Sequence, residues 1–125
     1  MGYKVLVVDD AGIMLRSVKS MLEDRYSIKL AISGRLAMDM VREEKPDIIL
    51  LDFDMPGMDG AETFDAIRGL EKGKDVPIVF LTGADDKNTI IKLMKKRPSG
   101  YVLKPPSREK LIEVIERTLA GMDDE

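Results

Sequence analysis

The chain has 125 residues, 44% of them apolar and 34% charged, which is enough for one domain with a buried core. Its 20 basic and 23 acidic side chains leave a net charge of −3, which excludes a protein that coats nucleic acid through bulk charge. Cysteine and histidine are both absent, so disulfides, thiolate chemistry, histidine triads and histidine-bound zinc are excluded, and any chemistry must come from carboxylates, lysines, hydroxyls, backbone or a hard metal ion.

The elements alternate along the chain. Tyr3 to Val8 is an apolar, β-branched run that ends at Asp9-Asp10 and reads as a buried strand. Met14, Val18, Met21 and Leu22 follow at helical spacing. Ile28, Leu30 and Ile32 alternate with Lys29 and Ala31, as in a strand with one wetter face. Ser33 can cap a helix that carries Leu36, Ala37, Met40 and Val41, and Pro46-Asp47 breaks it. Ile48 to Leu51 is continuously apolar and stops at Asp52. A loop with Pro56, Gly57 and Gly60 leads to a third helix marked by Phe64, Ile67 and Leu70, which stops between Gly69 and Gly73. Pro77 to Leu81 is a further apolar strand, ending at Thr82-Gly83. Ile90, Ile91 and Met94 mark a short fourth helix, stopped by Pro98 and Gly100. Tyr101 to Leu103 is a short strand ending at Lys104-Pro105-Pro106. Ser107 can cap the last helix, which carries Leu111, Ile112, Ile115 and Leu119 and ends at Gly121 and the acidic tail, Asp123-Asp124-Glu125.

Five βα units predict a parallel sheet with helices on both faces. Strands one, three and four are apolar throughout, as strands covered on both faces should be. Strand two alternates and strand five is short, which places them at the edges. The expected fold is α/β, flavodoxin-like (βα)5, with the doubly wound order 2-1-3-4-5. One domain spanning residues 1–125 is expected. No apolar run approaches the roughly 18 residues of a membrane span, and no basic–apolar leader opens the chain, so a cytoplasmic protein without membrane insertion is expected.

In such a sheet, ligands bind beyond the carboxyl ends of the strands, near the switch point between strands one and three. Asp9-Asp10, Asp52, Thr82 and Lys104 end four of the five strands. Three carboxylates brought together repel and need a counter-charge. Lys104 supplies one, and a divalent cation held by oxygen alone would be Mg²⁺ or a similar hard ion, with Mn²⁺ as the alternative. Taken singly, each residue has a plainer reading. Asp9-Asp10 can stop a strand and cap a helix, Asp52 can make a turn, Thr82 can cap a loop and Lys104 can be a solvated lysine. Those readings weaken together, because they require four coincident placements at one end of one sheet.

Val7-Val8-Asp9-Asp10, the run Leu51 to Gly60 (LDFDMPGMDG), Leu81-Thr82-Gly83 and Gly100-Tyr101-Val102-Leu103-Lys104-Pro105 together resemble the signature of response-regulator receiver domains of two-component signalling. The resemblance runs from residue 3 to about residue 120, with all its motifs in order. It implies a phosphorylation-activated switch, not an enzyme with turnover on other substrates. Asp52 would accept a phosphoryl group from a sensor histidine kinase or a phosphotransfer protein. Asp9, Asp10, Asp52 and the backbone carbonyl of Asp54 would hold Mg²⁺. Lys104 would pair with Asp52 and then with a phosphoryl oxygen, and Thr82 would hydrogen-bond another. Tyr101 would be an aromatic switch that turns inward, and Lys104-Pro105 matches the family's cis peptide bond. The phosphoryl group would later be lost by self-catalysed hydrolysis. Asp54 and Gly83 occupy family-variable positions beside the site and are expected to affect that hydrolysis.

The resemblance also implies a downstream effector protein, and allows a phosphorylation-dependent homodimer, on the face built by helix four, strand five and helix five. Here Lys92, Lys95, Lys96, Arg97, Tyr101 and Arg108 would line that face. Residues 87–110 carry eight basic side chains against Glu109 alone, which fits either docking of an acidic partner or a solvated lysine-rich surface. The turn Lys95 to Gly100 departs from the apolar turn common in the family. Chain ends close to the first strand and last helix fit a stand-alone regulator of the chemotaxis kind or an excised receiver.

Two other readings stay open. One is a receiver-shaped binding module that works without phosphate. The other is an Mg²⁺-dependent aspartyl-phosphate phosphatase of the haloacid-dehalogenase kind, which shares Asp52-Phe53-Asp54, though there the motif follows the first strand. A calcium loop starting at Asp52 fails because Thr63 stands where a bidentate glutamate is required. A flavodoxin or dinucleotide site fails because Asp9-Asp10 replaces the phosphate-cradling loop.

Overall fold

A computed structural model describes residues 2–123. Asp124 and Glu125 of the acidic tail lie outside the described residues. The chain runs β1 (Lys4–Val8), α1 (Gly12–Leu22), β2 (Ser27–Ala31), α2 (Gly34–Glu43), β3 (Ile48–Asp52), α3 (Gly60–Arg68), a 3-10 turn (Glu71–Gly73), β4 (Ile78–Thr82), α4 (Lys87–Met94), β5 (Gly100–Leu103) and α5 (Arg108–Asp123). All strand pairs are parallel, in the order β2-β1-β3-β4-β5, as the patterns predicted.

Alternation along the strands divides the core in two. Val5, Val7, Ile48, Leu50, Val79 and Leu81 pack against Leu15, Val18 and Leu22 of α1 and Leu111, Val114, Ile115 and Leu119 of α5. Leu6, Val8, Ile49, Leu51, Ile78 and Phe80 pack on the other face, against Ala37 and Val41 of α2, Phe64 and Ile67 of α3 and Leu93 of α4. Each such aliphatic side chain, fully buried, stabilises by about 1.5–3 kcal/mol. The three central strands are therefore the rigid frame, and their ends are held in place by burial on both faces.

Several details differ from the sequence reading. Leu15 and Val114 are core residues that the helical spacing passed over. On α4 the buried residue is Leu93, whereas Ile91 and Met94 are each 45% exposed. Helix α4 has only eight residues, so one narrow stripe suffices to seat it. Ile32 lies one residue past the end of β2 and is 61% exposed. Leu70 follows α3 and leads into the 3-10 turn. Gly121 does not end the last helix, which continues to Asp123; an exposed helical glycine costs about 1 kcal/mol relative to alanine and does not by itself break the helix.

The predicted caps are present. The Ser33 hydroxyl accepts the Leu36 amide at 3.1 Å, and the Ser107 hydroxyl accepts the Lys110 amide at 3.1 Å. Ser33→Ala is expected to lower stability by about 1 kcal/mol, read as a drop in the urea midpoint with an unchanged slope. An ion triad ties β1 and β2 to the end of α2. Glu44 bonds Lys4 at 2.8 Å and Lys29 at 3.0 Å, and these lysines hold its carboxyl down from 4.5 to about 2. A depressed carboxylate stabilises fully above its unfolded value and loses that contribution as pH falls through its folded one. The stability gap between wild type and Glu44→Gln should therefore be present above pH 4.5 and close as pH falls toward about 2. Because the triad is exposed, the gap should also shrink with added salt.

Candidate functional site

Register brings the polar strand ends together. Val8 is level with Leu51, Asp52 with Leu81, and Thr82 with Leu103. The next residue of β1 is Asp9, and the next residue of β5 is Lys104. The Lys104 amide donates to the Thr82 carbonyl at 2.8 Å, and the Phe53 amide donates to the Leu81 carbonyl at 2.8 Å, so pairing continues to the edge of the site. The Lys104–Pro105 peptide bond is cis.

The loop after Asp52 folds back over its own strand. Asp59 and Glu62 form a reciprocal capping box at the start of α3. The Gly60 amide donates to the Phe53 carbonyl at 3.2 Å. A side chain at Gly60 would bring Cβ within 2.5 Å of the Asp52 carbonyl oxygen and of Phe53 Cα, so only glycine permits this approach. Beneath the loop, Phe53 packs edge-on against Phe80, with ring centroids 5.1 Å apart.

Lys104 Nζ lies 2.9 Å from Asp52 Oδ1 and 3.0 Å from Asp9 Oδ2. Asp9 and Asp52 are buried, and the lysine side chain is 20% exposed. Asp9 Oδ1 accepts the Ala11 amide at 2.9 Å, and Asp52 Oδ1 accepts the Asp54 amide at 3.2 Å. The contact at Asp9 Oδ2 lacks hydrogen-bond alignment, so this fully buried oxygen has no hydrogen-bond partner among the described residues. Burial pushes the Asp52 carboxyl above its ordinary range; the Asp9 charge adds to that, and Lys104 opposes it. For Lys104, burial disfavours the ammonium, but Asp52 and Asp9 outweigh it and the net shift is upward.

Asp10 is exposed, yet one of its oxygens lies within 4.8 Å of oxygens on Asp9 and Asp52. Lys104 offsets one of these three charges, which leaves a charge deficit suited to a divalent cation. An all-oxygen donor set and a buried carboxylate oxygen without a hydrogen bond both fit a hard ion such as Mg²⁺.

Asp9, Asp10, Asp52 and Lys104 thus lie together at the strand ends. Thr82 is fully buried; its hydroxyl accepts the Ala84 amide at 3.1 Å and donates to Asp54 Oδ2 at 3.0 Å. That side-chain contact was not legible in the sequence, where Asp54 entered through its carbonyl and as a variable position beside the site. Tyr101 lies in β5, level with Phe80, and is 37% exposed. Met55 is core, and Met58 is half-buried against Gly34.

The basic face is less uniform than its composition. Lys96 is engaged with Asp65 of α3 at 2.7 Å. Arg108 turns toward α1, where it bonds both oxygens of Asp24 and the Met21 carbonyl. Lys92, Lys95 and Arg97 remain exposed, with Arg97 in the left-handed region at φ 57° where α4 ends.

The family model for the response regulator receiver domain matches residues 5–116. The chain is 33% identical over 116 residues to the chemotaxis protein CheY of Pseudomonas aeruginosa, covering 91% of this chain and 94% of that protein. It is 34% identical over 121 residues to a nitrate/nitrite response regulator homolog of Haemophilus influenzae, covering 94% of this chain and 57% of that protein. The chain thus spans little more than half of that relative. Among solved structures, CheY4 of Vibrio cholerae superposes with a TM-score of 0.88 at 29% identity, covering 94% of this chain and 99% of that one. The receiver domain of the sensor histidine kinase PA1611 of Pseudomonas aeruginosa, solved with magnesium coordinated in its active-site cleft, gives 0.88 at 26% identity, covering 96% and 99%. Among the described residues, no helix is long and apolar enough to cross a membrane. With the doubly wound sheet, the clustered acidic strand ends and these matches, the chain belongs to the response regulator receiver domain family of two-component signalling.

Proposed function

We propose that the chain, read as one receiver unit over residues 1–125, is switched by phosphorylation of Asp52. The observation that carries this reading is the Lys104 ammonium lying 2.9 Å from Asp52 and 3.0 Å from Asp9, beside a third carboxylate, Asp10. Asp52 sits in a buried, partly neutralised setting at the open end of the sheet, where a donor's phosphorus can approach one oxygen. That oxygen attacks phosphorus and the O–P bond forms. The P–N bond of a phosphohistidine breaks, and the leaving imidazole takes a proton from solvent. The Asp54 amide and Lys104 hold Asp52 Oδ1, so they orient the nucleophile through the oxygen that does not attack.

Asp9, Asp10, Asp52 and the Asp54 carbonyl would hold the ion, Mg²⁺ or Mn²⁺, and the magnesium in the PA1611 receiver supports that assignment. When bound, the ion supplies neutralisation of charge between carboxylate and phosphoryl oxygens. After transfer, Lys104 and the Thr82 hydroxyl are the donors that reach the phosphoryl oxygens, and Tyr101 turns inward as Thr82 moves. This shift reshapes the α4–β5–α5 face, where Lys92, Lys95 and Arg97 are available to an acidic effector or a second copy. Hydrolysis by water then breaks the O–P bond and releases phosphate. The donors are a sensor histidine kinase or a phosphotransfer protein.

The test is intact-protein mass after incubation with acetyl phosphate, with Mg²⁺ and with chelator. One added phosphoryl group that needs Mg²⁺ is expected. No addition under either condition would favour a module that binds partners without phosphate. Sustained release of phosphate from unrelated esters would favour the phosphatase.

A further inference from the structure

We propose that the Asp54 side chain is a latch on Thr82, an inference that rests on the receiver reading and names a regulatory element within it. Thr82 has a single hydroxyl proton. In this structure that proton is spent on Asp54 Oδ2 at 3.0 Å, while the same hydroxyl oxygen accepts the Ala84 amide at 3.1 Å. The hydroxyl's one proton is thus committed to Asp54, and Thr82 itself is buried.

A phosphoryl oxygen on Asp52 is acceptor-only. To bond it, Thr82 must withdraw its proton from a carboxylate, one of the stronger acceptors a protein offers. The resting contact therefore competes with the phosphorylated one for the same proton. Asp54 is held in register for this by its own amide, which donates to Asp52 Oδ1 at 3.2 Å; the residue that reads the acceptor through its backbone restrains the switch through its side chain. Gly83, next to Thr82, has open space around its Cβ position, so no side chain there blocks the hydroxyl from moving once released. Asp54 is itself exposed, and its replacement leaves the core untouched. It acts through Thr82 and is a positioning residue.

The test is a double-mutant cycle read by amide NMR titration with beryllofluoride, a phosphoryl mimic, in saturating Mg²⁺. Asp54→Ala should raise apparent beryllofluoride affinity about tenfold when Thr82 is present. In a Thr82→Ala background the same change should alter affinity less than about threefold. Asp54→Asn keeps an accepting oxygen, but a neutral and weaker one, and should gain clearly less than Asp54→Ala. Removal of a negative charge alone predicts something different: equal gains for Ala and Asn, and a gain that survives in Thr82→Ala. Either of those results overturns the latch while leaving the receiver reading intact. A wild-type protein that binds no beryllofluoride overturns the receiver reading, and the latch with it.

Discussion

Asp52→Asn is expected to reduce phosphoryl uptake from acetyl phosphate to the assay background while leaving the fold intact. The amide keeps the shape of the carboxylate, and its oxygen can still accept from Lys104 and from the Asp54 amide, the two partners of Asp52 Oδ1. What it loses is the anionic oxygen that attacks phosphorus, and an amide oxygen is a far weaker nucleophile. The substitution also removes a buried charge that burial and Asp9 both disfavour. Stability without metal should therefore stay within about 1 kcal/mol of wild type. Mg²⁺ should bind more weakly, because one of three clustered carboxylates is gone. Loss of uptake with retained stability separates chemistry from folding. Uptake at the wild-type level by Asp52→Asn would place the acceptor elsewhere.

Lys104→Met should show the opposite balance. The methionine can fill the apolar part of the site, but Asp9 and Asp52 are then buried without their shared cation. Removing one member of a buried ion pair commonly costs about 3–5 kcal/mol. Here the lysine is 20% exposed and serves two carboxylates, and burial already raises the Asp52 carboxyl above its ordinary range, so taking up a proton relieves part of the cost. A loss of about 2–3 kcal/mol in metal-free buffer is expected. Without the competing lysine charge the variant's folded state should bind Mg²⁺ more tightly than wild type does and gain more stability from it, so the deficit measured by urea unfolding should narrow when Mg²⁺ replaces chelator. A deficit that Mg²⁺ leaves unchanged would mean that Lys104 acts by packing and not by charge.

Much of this site was legible because strands have a period of two and end abruptly. Ile48 to Leu51 and Ile78 to Leu81 are apolar at every position, which fixes them as central strands, and the first polar residue after each falls at the sheet's edge. With the ends of the first and fifth strands read the same way, Asp9-Asp10, Asp52, Thr82 and Lys104 fell at one end of the sheet. The family's motifs added roles that no periodicity contains. What stayed hidden depended on side-chain direction. Ile91 and Met94 read as a buried stripe, yet α4 is so short that Leu93, with partial help from Ile90, seats it. Arg108 belonged by position to the basic face, but a nearby carboxylate, Asp24, turns it toward α1. The Thr82–Asp54 bond joins the last residue of β4 to the loop after β3, and only the coordinates bring those side chains within 3.0 Å. The capping box of Asp59 and Glu62, by contrast, was present as a spacing of three and could have been read directly.

The most direct test of Asp52 as acceptor is the position of the modified residue. Sodium borohydride reduces an aspartyl phosphate to homoserine, which remains in the peptide and is located by mass spectrometry. After acetyl phosphate and Mg²⁺, homoserine is expected at position 52 alone. Homoserine at Asp54, Asp9 or Asp10, or incorporated phosphate with no homoserine at all, would contradict the assignment.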